Sequence, residues 1–159
     1  MDQRKRLAKV SPRIVLGWRE WLALPDLGIG RIRAKIDTGA RSSALHVDEL
    51  AEFEVDATPW VRFTVATGAH DAEPVVVRAP VHDRRPVTDS GGHVSERIFL
   101  LTRLELAGRM YPIEINLASR RDMSFPMLLG RSALKGRFVV DPARSFRGRR
   151  AIGSKAPSP

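Results

Sequence analysis

The 159-residue chain has no cysteine. Disulfide frameworks, thiolate zinc sites and cysteine nucleophiles are therefore excluded. No apolar run approaches the roughly 18 residues that a membrane-spanning helix requires. The charged start, Met1 to Ser11, has no apolar stretch behind it. It does not read as a secretory signal, and the expected location is the cytoplasm, with no membrane contact. Aromatic residues make up only 6% of the chain. Acidic residues are missing altogether from positions 144–159.

The charge that is present is unevenly placed. The chain carries 27 Lys+Arg against 18 Asp+Glu, a formal net charge of +9. Five of the bases (Arg4, Lys5, Arg6, Lys9, Arg13) face only Asp2 in residues 1–13, and five more (Arg144, Arg147, Arg149, Arg150, Lys155) face no acid at all. That leaves 17 bases and 17 acids for residues 14–143. The basicity belongs to tails around a neutral body, and the body is long enough to bury one core. The expected organisation is a basic tail at 1–13, one domain at 14–145, and a basic, disordered tail at 146–159. Nucleic acid contact is expected only through those tails, as salt-sensitive attraction.

The body reads as short strands. Arg31–Ile36 and Trp60–Val65 alternate polar with apolar residues at period two, the pattern of a half-buried strand. Further strands are expected at Val10–Leu16, Ser43–Val47, Val75–Arg78, Val94–Leu101, Leu104–Leu106, Tyr111–Leu117 and Phe138–Val140. Ala107-Gly108-Arg109 lies between two of them as a hairpin turn. Asp48–Glu54 fits either a helical turn or a polar strand. Ser132–Lys135 before Gly136 reads as one short helix with a glycine stop. Eleven prolines and twelve glycines punctuate the series, and the expected fold is a small, closed, mostly antiparallel β barrel.

Chemistry concentrates at Lys35-Ile36-Asp37-Thr38-Gly39-Ala40, where an alternating strand runs into Asp-Thr-Gly. Asp37 would supply an acid or base at the strand end. Thr38 offers a hydroxyl that buttresses the loop, and Gly39 lets backbone approach the carboxylate. Alone, the triplet is also good turn chemistry. About ninety residues later, Phe125-Pro126-Met127-Leu128-Leu129-Gly130-Arg131 forms an apolar strand ending in Gly-Arg before the short helix.

Together these two segments resemble the retropepsin-like aspartic proteases. Gly17-Trp18-Arg19-Glu20, Ser43-Ala44-Leu45-His46, Arg85-Pro86-Val87 and Phe138-Val139-Val140-Asp141 narrow the resemblance. They are similar to a bacterial and archaeal family labelled ATP-dependent zinc protease, the RimK/LysX-linked retropepsin-like proteases. The resemblance implies an aspartic endopeptidase fold in which Leu128, Leu129 and Gly130 support the loop of Asp37, Thr38 and Gly39. It implies a peptide or protein substrate, and association with ATP-grasp ligases that add glutamate-type tails, or with ribosomal proteins. The label's zinc and ATP have no counterpart in the motifs. There is no phosphate loop, and His46, His70, His82 and His93 share no ligand spacing. No cofactor and no metal are expected. A zinc site would have to be assembled from His46 with Asp37 or from His82-Asp83.

A pepsin-type site needs two carboxylates sharing one proton. The other similar string, Asp89-Ser90-Gly91, follows no apolar strand and reads as a hairpin tip in the place of a flap. The second Asp37 is therefore expected from a homodimer partner. Substrate-binding roles are expected for Arg41, His46, Arg85, Gly91, Gly92 and Arg131. Viral retropepsins typically place an acid after Asp-Thr-Gly-Ala to pair with the Gly-Arg arginine. Here that residue is Arg41, so Arg131 needs another partner, and Arg41 is free to meet substrate carboxylates. Trp18, Trp21 and Trp60 are expected in the core or an interface. The alternative functions are a non-catalytic peptide- or carboxylate-binding module and a zinc-dependent protease.

Overall fold

The computed structural model describes residues 12–119 and 124–148; most of both basic tails lies outside them. The strands are β1 (Ile14–Leu16), β2 (Arg19–Leu24), β3 (Ile29–Ile36), β4 (Ser43–His46), β5 (Asp48–Val55) and β6 (Thr58–Val65). They continue as β7 (Val75–Pro80), β8 (Asp83–Thr88), β9 (Val94–Leu106), β10 (Arg109–Ala118), β11 (Met127–Leu129) and β12 (Phe138–Val140). One short helix, α1 (Arg131–Leu134), precedes Gly136 at φ +79°.

Six strands curl into a partly closed barrel in the order β10-β4-β11-β3-β2-β9, in which β9 pairs with β10 from Phe99 to Leu106 and with β2 at the single rung Ala23–Glu105. β8 extends the sheet from β9, while β5-β6-β7 form a second sheet and β1-β12 a separate pair. The expected β barrel with one short helix is thus present, partly closed. Two of its pairings are parallel, β10 with β4 and β11 with β3, as is the separate β1-β12 pair. The geometry requires this for β11. The chain reverses between β3 and β4, so a strand inserted between them must run parallel to one and antiparallel to the other.

Inward residues of the alternating strands make the core. Ile32, Leu45, Phe63, Leu100, Ile115 and Leu129 are fully or almost fully buried. Burial of each such side chain contributes about 1.5–3 kcal/mol. The ambiguous segment at 48–54 is a strand, exposed along most of its length. β2 and β8 were not foreseen, and the two strands expected between Val94 and Leu106 are one. The turn at Ala107-Gly108 forms as expected, with φ of 52° and 75°, the signs that a type I′ hairpin turn needs. A second such turn, Asp56-Ala57, joins β5 to β6.

One buried group organises the end of the described chain. Glu20 points inward from β2 with no exposure. Its Oε1 accepts the Gly17 and Arg147 N–H groups at 2.8 Å each, and its Oε2 accepts the Gly148 N–H at 3.0 Å. Beside it, the Trp18 N–H donates to the Arg144 carbonyl, and Phe146 stacks on Trp21 with 5.9 Å between ring centroids. Residues 146–148, assigned to the tail from composition, are therefore packed on β2. The tail assignments for residues 1–11 and 149–159 lie outside the described residues.

Candidate active site

β3 delivers Asp37 to the end of the barrel. The Ile36 N–H donates to the Trp18 carbonyl at 2.8 Å, and the Asp37 N–H donates to the Leu129 carbonyl at 2.9 Å. The aspartate backbone is thus tied to β11 through the Leu129 carbonyl. The side chain then turns into the loop. Asp37 Oδ1 accepts the Gly39 N–H at 3.0 Å, an Asx-type turn that fixes one carboxylate oxygen and leaves the half-buried group facing outward.

Gly130 locks this loop from the other side. A Cβ at Gly130 would lie 2.5 Å from the Ser42 carbonyl oxygen, so no side chain fits. Its N–H donates to Ser43 Oγ at 3.0 Å. The next two amides, of Arg131 and Ser132, donate to the carbonyls of Ala40 and Arg41 at 2.8 and 3.1 Å. The first N–H groups of α1, which have no partner inside the helix, are therefore capped by the loop that carries Asp37. The partner of Arg131 is backbone as well. Its Nη1 donates to the Thr38 and Gly39 carbonyls at 3.0 Å each. The Thr38 and Gly39 carbonyls thus stand as acceptors where an acid at position 41 would otherwise pair with the guanidinium.

Beside the loop opens a groove of about 980 Å³. Thr38, Arg41, Arg131 and Lys135 supply its polar wall, while Leu134 and Phe138 supply apolar surface. Its lining contains three cations and no carboxylate. Tyr111 braces α1 from β10: its hydroxyl donates to the Ala133 carbonyl at 2.5 Å, and burial pushes its pKa up to about 12.

The remaining expected residues are placed elsewhere. His46 ends β4, with its N–H on the Pro126 carbonyl and Nε2 3.7 Å from Asp48 Oδ1. β4 runs antiparallel to β11, so His46 lies at the opposite end of these strands from Asp37. Arg85 sits on β8, paired with Asp83 at 2.6 Å and with Glu114, and its guanidinium lies 4.2 Å from the Phe99 ring centroid. Gly91 and Gly92 do form a hairpin tip, between β8 and β9. Asp89 Oδ1 accepts the Gly91 and His93 N–H groups at 2.9 Å there. Trp18, Trp21 and Trp60 are half-buried, and they pack on Phe125, Phe146 and Phe53.

The donor set does not fit zinc. His46 and Asp37 stand at opposite strand ends, and the Asp83 carboxylate is engaged by Arg85 and the Arg84 N–H. Among the described residues no three His, Asp or Glu side chains gather as a metal would need. No helix among them is long and apolar enough to cross a membrane. Glu20 and Ser43 stand out in the sequence only as members of longer motifs, and Asn116 only as part of a strand; all three are buried. Ser43 and Asn116 stand 73 residues apart on different strands, and the parallel pairing of β4 with β10 brings them together.

Comparison with known proteins bears on this geometry. A family model described as the retropepsin-like aspartic endopeptidase RimB matches residues 15–150. A probable alpha-L-glutamate ligase of Desulfotalea psychrophila is 38% identical over 130 residues, covering 81% of this chain and 28% of that protein. One of Parasynechococcus marenigrum is 37% identical over 137 residues, covering 86% and 29%. The chain thus spans less than a third of the length of these relatives. A Legionella pneumophila protein of unknown function, solved by crystallography, superposes with a TM-score of 0.71 at 28% identity. The match covers 86% of this chain and 99% of that one.

Proposed function

Since the chain belongs to the RimB-like family of retropepsin-like aspartic endopeptidases, we propose that it hydrolyses peptide bonds with Asp37 as its catalytic carboxylate. The observation that carries this reading is the locked loop. Asp37 is held by β11 through its backbone and by Gly39 through one oxygen, while Arg131 and Gly130 fix the carbonyls around it. Such rigidity suits a group that must meet a scissile carbonyl in one orientation.

The chemistry needs two carboxylates. Two facing Asp37 side chains would share one proton, because like charges at hydrogen-bond distance do not both ionise readily. The unprotonated member takes a proton from water as the water attacks the carbonyl carbon. The protonated member donates to the carbonyl oxygen, giving a tetrahedral diol that collapses as the leaving nitrogen gains a proton. A second copy of this chain supplies the second Asp37.

The substrate is an extended peptide, with the β8-β9 hairpin as the flap over it. Arg41 and Lys135 favour acidic side chains on that peptide. The relatives named as glutamate ligases favour acidic tails as the substrate and a ligase of that kind as the partner. A glutamate-rich peptide tests the reading. Asp37→Asn should lower its cleavage about a hundredfold or more while sedimentation of the protein stays unchanged. Undiminished cleavage by Asp37→Asn would overturn the mechanism. Cleavage by a strict monomer would overturn the shared dyad. A wild-type protein that binds the peptide without cutting it would move the chain to the non-catalytic reading.

A further inference from the structure

β9 changes partners at a definite rung. Phe99 pairs with Asn116 of β10 on one side and Asp83 of β8 on the other. From Ile98 to Val94, β9 pairs with β8, so the hairpin carrying Gly91 and Gly92 leaves the barrel wall at Asn116. Asn116 is only 1% exposed, and both ends of its amide are engaged. Its Oδ1 accepts from Arg97 Nη1 at 3.0 Å, and Arg97 stands on the hairpin. Its Nδ2 donates to the Ser43 carbonyl at 2.9 Å. Ser43, fully buried, in turn accepts the Gly130 N–H on its hydroxyl. Gly130 is the residue whose close packing on Ser42 fixes the Asp37 loop.

We propose that Asn116, with Arg97 and Ser43 on either side of it, is a positioning relay that couples the stance of the β8-β9 hairpin to the geometry of the Asp37 loop. The hairpin base and the loop are joined by three consecutive hydrogen bonds across four strands, from β9 through β10 and β4 to the end of β11. A buried amide with one donor and one acceptor committed has little freedom to rotate, because turning it would place like ends against Arg97 and Ser43. When the hairpin moves over a peptide, Arg97 moves with it, and the pull is delivered to Ser43 and Gly130. The functional consequence rests on the aspartic endopeptidase reading; the mechanical coupling does not.

Two measurements on the full chain test it. In amide hydrogen exchange, Arg97→Ala should speed exchange at Gly130 about fivefold, the loss expected from weakening one hydrogen bond. Faster exchange confined to residues 89–93, with Gly130 unchanged, would overturn the relay. On a glutamate-rich peptide, Arg97→Ala and Ser43→Ala should each lower kcat/KM, and the double variant should lose about fivefold less than the product of the two. Independent, multiplicative losses would overturn it. Ser43→Thr, which keeps the hydroxyl, should restore the kinetics that Ser43→Ala loses. If the wild-type protein cleaves nothing, the endopeptidase reading fails, while the exchange measurement still decides the coupling.

Discussion

At the scale of single residues, the site depends on packing too tight for substitution. Gly130→Ala would drive a methyl group into the Ser42 carbonyl. It should cost about 1–3 kcal/mol in denaturant unfolding, with peptide cleavage lost in step as the Asp37 loop shifts. Glu20 is equally exacting. Glu20→Gln places an amide N–H against a backbone N–H and should lower stability by about 1–3 kcal/mol, measured the same way. Tyr111 gives a pH signature. Its pKa of about 12 stands above the unfolded value near 10, so the folded state holds the proton more tightly. The resulting stability is fully present below about pH 10 and is lost as pH rises toward 12. Tyr111→Phe should abolish that alkaline slope in a stability–pH titration.

At the scale of elements, legibility followed the side of the strand on which polarity fell. β3 and β6 were readable because their polar residues point out and their apolar residues point in. β2 has the same alternation, yet its first inward residue is Glu20, and a carboxylate there hides a core-facing strand. β8 carries Asp83, Arg84, Arg85 and Pro86 on a mostly exposed hairpin arm, so it has no apolar face to announce it. The Asp-Thr-Gly and Gly-Arg segments were readable as motifs. The clamp of Arg131 on carbonyls was not, because backbone acceptors leave no trace in composition. Turns offer a test at this scale. Ala57 holds φ 63° in the tight turn between β5 and β6, where a Cβ is strained. Ala57→Gly should raise stability by about 0.5–1 kcal/mol, read from the thermal midpoint.

At the scale of the whole molecule, formal charge divides into a neutral body and basic ends. Deleting residues 1–11 and 149–159 should leave the unfolding midpoint and the cleavage rate of a small peptide unchanged. Retention on a polyanion column should fall, and the loss should shrink as salt is raised. The ends of the described chain also converge. Arg109 Nη2 donates to the Pro12 carbonyl at 3.3 Å, while Gly148 packs against the neighbouring Ala107, so both ends meet at the β9-β10 turn. A unit whose entrance and exit share one corner behaves as a cassette. It can be spliced into a surface loop of a longer polypeptide, or rejoined and reopened at the Asp89–Gly92 tip, with every rung of the barrel left in register.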